Sequence, residues 1–575
     1  MTTKKGGHNV KLVLAVYNSK YIHSSLAPWC LGAGLTAYAP SVEWGVKEGT
    51  INQNPQLLVN QILEENPDIV GFSVYIWNKP NTLQAIKSIK EQRPNCKILI
   101  GGPEVSYNAA QILQENPEID YVLSGEGEES MPAFCNALQN GQDPMEQDVA
   151  GLCGRKNGVI EQREPAILTM PPPDPYTKEY FEALNGRICY IETTRGCPYR
   201  CAFCLSGRCG PVRCFEMDEM KRRITKLAQS GTKTIKFVDR TFNAQPARAA
   251  EIWRWIAEEY GKSLPKDVCF HFEIAGDILK EEHFELLNQM PLGAVQLEIG
   301  LQSFHEPTLE AIHRKTNCKK LQENIRRLAK PQNIHLHIDL IAGLPLETLE
   351  IFGQSFNTAF SLQPQMLQLG FLKLLYGADM REYPQEYPCN FDSNPPYQVI
   401  DTPWISAEEL HQLHLLEDVV ERTFNSGRFR RTLNYLLETT GFSPFELFGF
   451  LAKQQTAEKT GLDVYTDLLF EIAQKLPNVE KQKLRDIMCI DRLESNGTGK
   501  LPTCLQVEDK NLKRYSILLE QQFATPKKAK RGKAMLYASN QMVWVDYDKP
   551  AHPVIGRRKA KFISLSELDK SEILK

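Results

Sequence analysis

Three cysteines, Cys197, Cys201 and Cys204, stand in the spacing C-x3-C-x2-C within the stretch IETTRGCPYRCAFCLSGRCG, and Cys209 and Cys214 follow closely. The motif comes after a strand-like segment and a glycine, which places it on a loop at the C-terminal end of a strand. Thiolates hold iron well, and four of them normally complete a cubane cluster. Three closely spaced thiolates leave one iron open. An open metal position is where a substrate or cofactor coordinates, the logic that also governs catalytic zinc. Structural zinc sites prefer paired C-x2-C knuckles with a second pair distant in sequence, and no second pair is evident. Either Cys209 or Cys214 could supply a fourth thiolate and so close the site. The spacing favours an open iron–sulfur site over a closed one or a zinc knuckle.

Such a loop needs a rigid frame. From about residue 186, six strand-like segments follow in turn: CYIETTRG, TIKFVDRTF, CFHFEIAG, AVQLEIGLQS, IHLHIDLIAGLP and MLQLGFLKLL. Helical stretches such as MDEMKRRITKLAQS and ARAAEIWRWIAEEY separate them. Six sequential βα units fit a full or partial (β/α) barrel, whose functional groups sit at strand C-termini. Asp239 in FVDRTFN and Glu273 in FEIAGDIL fall at such ends, Glu273 facing the pocket or a neighbouring ion pair.

Up to about residue 140 another βα series is expected, with strands in KLVLAVY, DIVGFSVYIW, CKILIGG and DYVLSGEGE. This spacing predicts a doubly wound parallel sheet, with ligands outside the strand C-termini. Those ends carry residues 73–77, 101–106 and 124–128. Residues 141–185, with GQDPMEQD and MPPPDPYTKEYF, read as a linker. The expected fold class is therefore α/β: an N-terminal doubly wound parallel sheet (1–140), the linker (141–185), a (β/α) barrel (186–405) and an α-rich C-terminal domain (406–575). The last contains one strand-like run, AMLYASNQMVWVDYD.

Composition narrows the function classes. The chain has 575 residues, too many for one core, with 42% hydrophobic and 24% charged residues, as in soluble globular proteins. A net charge of -3 gives no global basic field for nucleic acid. The basic stretches at residues 527–533 and 556–561 read as solvated loops. No apolar run reaches the roughly 18 residues of a membrane span. The polar start MTTKKGG before VKLVLAVY does not resemble a secretion signal, so a cytoplasmic location is expected. Fifteen cysteines in so long a chain are too sparse for a disulfide scaffold.

The barrel segment resembles the radical S-adenosylmethionine superfamily, in the C-x3-C-x2-C loop after the first barrel strand and in Phe203, the aromatic residue before the last cysteine. The resemblance implies a [4Fe–4S] cluster on Cys197, Cys201 and Cys204, with the methionyl amine and carboxylate of S-adenosylmethionine on the open iron. It implies reductive cleavage to a 5′-deoxyadenosyl radical, and an electron donor such as flavodoxin or ferredoxin. FVDRTFN resembles the second-strand signature, which makes Asp239 a candidate partner of the methionyl amine. Glu273 sits at the next strand end. LEIGLQSFHEPTLEAIHRKT resembles the fifth-strand segment, with Gln302 and Ser303 as partners of the ribose or carboxylate and Arg314 of the carboxylate. HIDLIAGLPLET resembles the sixth-strand motif, where Gly343, Leu344 and Pro345 would let backbone approach the adenine and Asp339 would face the pocket.

The N-terminal series lacks the G-x-G-x-x-G of a dinucleotide fold after its first strand. GFSVYIW, ILIGGPEVS and VLSGEGEES, in that order, resemble the cobalamin-binding domain fused to radical enzymes. The resemblance implies a corrinoid on the strand C-termini, with Ser73, Gly102, Glu104, Ser124 and Gly125 as pocket residues. The D-x-H-x-x-G motif that supplies a cobalt-ligating histidine is broken: His23 is present, but Tyr21 and Leu26 replace the aspartate and glycine. Cobalamin without a histidine ligand is expected. The C-terminal region resembles an uncharacterised extension of one subgroup; its His411 and His414, at i and i+3, read as surface or core residues. Together these features predict a cobalamin-dependent radical enzyme that methylates, or cyclises or rearranges, a small-molecule substrate. The alternatives are a radical enzyme without corrinoid and an iron–sulfur sensor.

Overall fold

Strands that are apolar in unbroken runs need cover on both faces. KLVLAVYN and KILIG are such runs, and both become inner strands of a sheet with helices on either side. The computed structural model describes residues 10–208, 210–454, 460–522 and 530–573; Cys209, Lys527 and Lys528 lie outside them. Two compact units emerge, the first comprising residues up to Ala275 together with Ile312–Lys315 and Leu372–Ile400.

The first unit opens with a seven-stranded sheet made of β1 (Lys11–Asn18), β2 (Glu43–Thr50), β3 (Ile69–Ser73), β4 (Lys97–Gly101), β5 (Tyr121–Leu123), β6 (Leu152–Lys156) and β7 (Val159–Gln162), in the order β2-β1-β3-β4-β5-β6-β7. The first five are parallel, with Leu14 opposite Gly71 and Phe72 opposite Ile100. Val13, Ala15, Val70, Phe72, Ile98 and Ile100 pack on one face against Val59, Ile62, Ile86, Ile89 and Ile112. Leu12, Leu14, Ile69 and Leu99 pack on the other against Leu35 and Phe134. The strand order reverses between β1 and β3, which opens a crevice at their C-terminal ends.

Two parts of this sheet differ from expectation. β2 is an edge strand of sequence EWGVKEGT, half-buried and poor in β-branched residues, so it carries little strand signal. Residues 141–185 are not an extended linker. They hold the antiparallel hairpin β6–β7, closed by Asn157 and Gly158 at φ 51° and 81°, and a helix over Lys178–Leu184. An Asn-Gly pair between short strands is a strong two-residue hairpin signal, and here it outweighs the prolines that follow.

Three further parallel strands complete the first unit: β8 (Cys189–Ile191), β11 (Thr234–Phe237) and β12 (Cys269–Ile274), with Ile235 opposite both Cys189 and Phe270. Between β8 and β11 lies a short antiparallel ladder of β9 (Thr194–Arg195) and β10 (Arg213–Cys214). The helix Pro246–Glu259 buries Ile252 and Trp253, and an aromatic cluster of Phe237, Phe242, Trp253 and Phe272 fills the layer beneath.

The second unit contains β13 (Val295–Gln302), β14 (His335–Ala342) and β15 (Met366–Phe371), again parallel, with a bulge between Gly300 and Gln302. Its C-terminal part is mainly helical, from Ala407–Val420 to Lys481–Ser495, followed by antiparallel strands Arg531–Leu536, Gln541–Asp546 and Lys561–Ser564 and a helix over Leu565–Ile573. His414 stacks on Phe371 at 3.5 Å, while His411 is not in that stack. Residues 556–561 are not simply solvated. Arg557 is buried and pairs with Asp491 and Glu494, each at 2.5 Å, because burial of those two carboxylates demands a cation. Among the described residues no helix is long and apolar enough to cross a membrane.

Candidate functional site

β8 ends at Ile191, and its continuation delivers the cysteine loop. Gly196, at φ 93°, makes the turn into it; a Cβ there would lie 2.7 Å from the carbonyl oxygen of Pro211, so only glycine fits. The loop is fastened at Ala202, whose N–H donates to the Ile312 carbonyl at 2.9 Å and whose carbonyl accepts from Met380 N–H at 3.0 Å. Each thiol has a polar neighbour. Cys197 Sγ lies 3.5 Å from the Thr241 hydroxyl, Cys204 Sγ accepts from Ser206 N–H at 3.4 Å, and Cys201 Sγ accepts from Arg314 Nη1 at 3.6 Å. Burial pushes the Cys201 thiol up; Arg314 acts against it, and the nearby thiols of Cys204 and Cys197 add to the rise.

Three thiols close enough to feel one another, each with a polar neighbour, fit a thiolate-held cluster. Cys214 stands differently: it is exposed and pairs across the β9–β10 ladder with Thr194, and burial pushes its thiol up, with Arg248 acting against the rise and Asp239 adding to it. Cys209 falls outside the described residues. Phe203 is half-buried on the loop.

Asp239 is fully buried beyond β11. Its carboxylate accepts from Thr193 N–H at 3.0 Å and from the Thr193 and Thr194 hydroxyls at 2.7 and 2.6 Å. These bonds fix the turn that enters the cysteine loop.

A cavity of about 510 Å³ lies wholly within the first unit. Its floor is the crevice at the β1/β3 reversal: Gly71, Phe72, Ser73, Leu99, Gly101, Gly102, Leu123 and Gly125. Its opposite wall comes from the strand ends of β8, β11 and β12, with Tyr190, Glu192, Arg195, Arg240 and Glu273. Tyr75 and Trp77 also line it, stacked at 4.5 Å and nearly parallel. A floor of glycine and apolar residues, with few projecting side chains, fits a large flat ligand such as a corrinoid.

Of the expected pocket residues, Ser73, Gly102, Gly125 and Glu273 line this cavity, and Glu273 also pairs with Lys236 at 3.5 Å. Glu104 and Ser124 do not line it. Glu104 is buried in an ion pair with Lys79 at 3.0 Å, and the Ser124 hydroxyl donates to the Ser106 carbonyl at 3.1 Å. Both are polar groups committed to holding strand-end turns. His23 lines the cavity with Nδ1 2.6 Å from the Tyr190 hydroxyl.

The second unit holds the remaining candidates. Gln302 sits at the bulge with φ 69°. The Ser303 hydroxyl donates to Glu347 at 2.5 Å, whose carboxyl burial pushes up to about 8. Gly343 has φ 87°, and Asp339 lies 2.9 Å from His337 Nε2.

Sequence reasoning missed the charged rim of the cavity. Arg195 meets Glu192 at 2.9 Å and Glu126 at 3.4 Å, and also Glu128; Arg213 pairs with Glu126 as well. Burial pushes the Glu192 carboxyl up to about 7, against the pull of Arg195. Perturbed carboxyls in a cleft mark functional sites. The only sequence signal was position: Glu192 and Arg195 stand at a barrel strand end, just before the cysteines.

Comparison with known proteins agrees with this geometry. Residues 16–135 match the B12 binding domain, residues 191–359 the radical SAM superfamily, and residues 385–544 a protein family of unknown function, DUF4080. The cobalamin-dependent radical SAM methyltransferase TokK of Streptomyces tokunonensis is 29% identical over 337 residues, covering 53% of this chain and 47% of that protein. The chain spans about half the length of the first curated relatives it matches. A structure of the radical S-adenosylmethionine methyltransferase TsrM from Kitasatospora setae, with cobalamin and a [4Fe–4S] cluster bound, aligns with TM-score 0.56 at 18% identity, over 68% of this chain and 79% of that one. The cobalamin-dependent S-adenosylmethionine radical enzyme OxsB with aqua-cobalamin aligns with TM-score 0.61 at 13% identity, over 84% and 79%. At these identities the structural likeness is one of fold. Over residues 191–359 the fold and the cysteine loop together are those of the radical SAM superfamily model. Residues 16–135 are similar to the B12 binding domain and residues 191–359 to the radical SAM superfamily, and the segment similar to the family of unknown function follows them.

Proposed function

We propose that this chain is a cobalamin-dependent radical S-adenosylmethionine methyltransferase acting on a small-molecule substrate. The observation that carries the reading is a cavity lined by the strand ends of both parallel sheets of the first unit. Cys197, Cys201 and Cys204 would hold the [4Fe–4S] cluster, and the floor from Gly71 to Gly125 would hold the corrinoid. With these groups bound, one-electron cleavage of S-adenosylmethionine would supply a carbon radical that takes a substrate hydrogen, and the corrinoid would supply the methyl group.

The chain's own residues orient and shield. Thr241, Ser206 and Arg314 sit against the three sulfurs, and Asp239 keeps the entering turn in place. The apolar floor excludes water from the space where a radical would travel. Glu192, with its carboxyl near neutral pH, can hold or release a proton at the cavity wall. The methyltransferase names of the relatives support methyl transfer. Oxygen-labile cluster chemistry supports a cytoplasmic location and a flavodoxin or ferredoxin as electron donor.

The test is direct. Protein reconstituted anaerobically with iron and sulfide, then loaded with hydroxocobalamin, should release 5′-deoxyadenosine from S-adenosylmethionine on reduction. A reduced, intact cluster without cleavage would overturn the radical reading. Absence of stoichiometric corrinoid would remove its cobalamin half.

A further inference from the structure

The segment Leu372–Ile400 belongs to the first unit and is closed on itself: Leu374 N–H donates to the Tyr397 carbonyl and Val399 N–H to the Leu372 carbonyl, both at 2.9 Å. One part of this closed segment grips the cysteine loop. Met380 N–H donates to the carbonyl of Ala202, the residue after Cys201, at 3.0 Å, and the Asp379 carboxylate pairs with Arg208. Another part grips the turn after β4. The Tyr397 hydroxyl donates to Glu104 and accepts from Lys79 Nζ at 2.8 Å, and all three groups are largely buried. Glu104 stands outside the cavity, two residues beyond Gly102, which lies in its floor. Gly377 packs so closely on Tyr107 that an added Cβ would lie 2.3 Å from its ring. Arg381 joins the two grips, with its guanidinium 3.5 Å from the Tyr376 ring centroid and 4.7 Å from that of Tyr397.

We propose that Leu372–Ile400 is a strap coupling the cysteine loop to the floor of the corrinoid cavity, with Tyr397 and Asp379 as its positioning residues. The inference rests on the functional reading above for what the two sites hold, though not for the coupling itself. A closed, cross-braced loop that bonds to both sites transmits a shift at one of them to the other. A contact that merely buries surface would not. Removing the Tyr397 hydroxyl leaves a buried carboxylate short of one donor and loosens the turn after β4. If the strap is rigid, the loosening reaches Ala202. Coupling of this kind is reciprocal, so weakening the Asp379–Arg208 pair must reach the cavity floor.

The test uses the full chain reconstituted with iron and sulfide, followed by hydrogen exchange and by hydroxocobalamin titration. Tyr397→Phe should speed exchange across residues 201–208, which Tyr397 does not touch. Asp379→Asn, at a partly exposed position, should speed exchange across residues 102–107 and weaken hydroxocobalamin binding by about fivefold or more. Tyr383→Phe, at an exposed side chain in the same segment, should move neither. Exchange changes confined to residues 79–107 in the first variant and 201–208 in the second would overturn the strap. Wild-type chain that holds its cluster but binds no hydroxocobalamin would overturn the cofactor reading instead, while the exchange pattern would still decide the coupling.

Discussion

Arg314 Nη1 lies 3.6 Å from the sulfur of Cys201, the buried one among Cys197, Cys201 and Cys204. A guanidinium beside a desolvated thiolate stabilises its negative charge, and most strongly when the cluster gains an electron. Hydrogen bonds to the sulfurs and local charge set cluster potentials. Arg314→Met should therefore retain iron but shift the cluster's midpoint potential to more negative values, with Arg314→Lys recovering part of the change. A redox titration followed by electron paramagnetic resonance reads this, and an unchanged potential in the methionine variant would refute it.

Cys214 is exposed on a two-residue ladder, opposite Thr194. Cys214→Ser should leave the iron and sulfide content of reconstituted protein at the wild-type value. Cys197→Ala, Cys201→Ala and Cys204→Ala should each lose the cluster. Loss of iron in Cys214→Ser would instead identify a closed, four-thiolate site.

The cysteine loop was legible because its spacing is a local property, and all six barrel strands were legible because apolar residues recur along them at strand spacing between helical stretches, as in VQLEIGLQ, whose burial alternates residue by residue. Most of what escaped depends on non-local partners. β2 lies at an edge of the sheet, where composition is mixed and register comes from neighbours, whereas the β6–β7 hairpin carries a local signal, Asn157-Gly158, that the prolines after it outweighed in the reading of the segment as a linker. Glu104 and Ser124 looked like pocket residues because they follow strand ends. Their side chains turn instead to Lys79 and to the Ser106 carbonyl, a choice made by tertiary packing. The Glu126, Glu128, Glu192, Arg195 cluster brings together residues more than sixty positions apart, beyond any spacing rule.

Glu192 makes stability depend on pH. Its carboxyl is raised from 4.5 to about 7, chiefly by burial, so the folded chain binds this proton more tightly than the unfolded one. Its contribution is fully present below about pH 4.5 and is lost as pH rises through about 7. The loss is at most about 3–4 kcal/mol, because each tenfold tightening of proton binding is worth about 1.4 kcal/mol. Glu192→Gln keeps the shape and an acceptor for Arg195 but cannot ionise. The difference in melting temperature, variant minus wild type, should therefore grow more positive between pH 5 and pH 8. A difference independent of pH would show that the carboxyl ionises as freely in the folded chain as in the unfolded one.

Gly102 has φ 112°, and a Cβ there would lie 2.5 Å from the carbonyl oxygen of Val74. The oxygen cannot yield as a flexible side chain would, since it belongs to the backbone, and Gly102 itself lies in the cavity floor. Gly102→Ala should cost about 1–3 kcal/mol, the range for an unfavourable backbone conformation, and should abolish or strongly weaken hydroxocobalamin binding while sparing the iron content. Gly141→Ala, also at positive φ but with no atom near its Cβ direction, separates strain from crowding: it should destabilise without affecting corrinoid uptake. Equal corrinoid binding in both variants would place the corrinoid elsewhere.

His23 lines the cavity, and burial holds its imidazole below the usual range, so it is largely neutral near pH 7. A neutral imidazole can ligate cobalt. A ligating histidine is normally oriented, and its basicity raised, by a carboxylate on its other nitrogen. Here Nδ1 meets the Tyr190 hydroxyl at 2.6 Å, and burial pushes that phenol up to about 12, so it stays neutral and provides no such push. His23 is therefore expected to anchor the loop after β1 to β8 and not to ligate the cobalt. The visible spectrum of hydroxocobalamin bound to His23→Ala should match that of the wild-type complex, with affinity reduced only as far as the loop is loosened. Tyr190→Phe, which removes the same hydrogen bond and leaves the imidazole in place, should reduce affinity similarly. A spectral change in His23→Ala that is absent in Tyr190→Phe would make His23 the lower ligand of the cobalt.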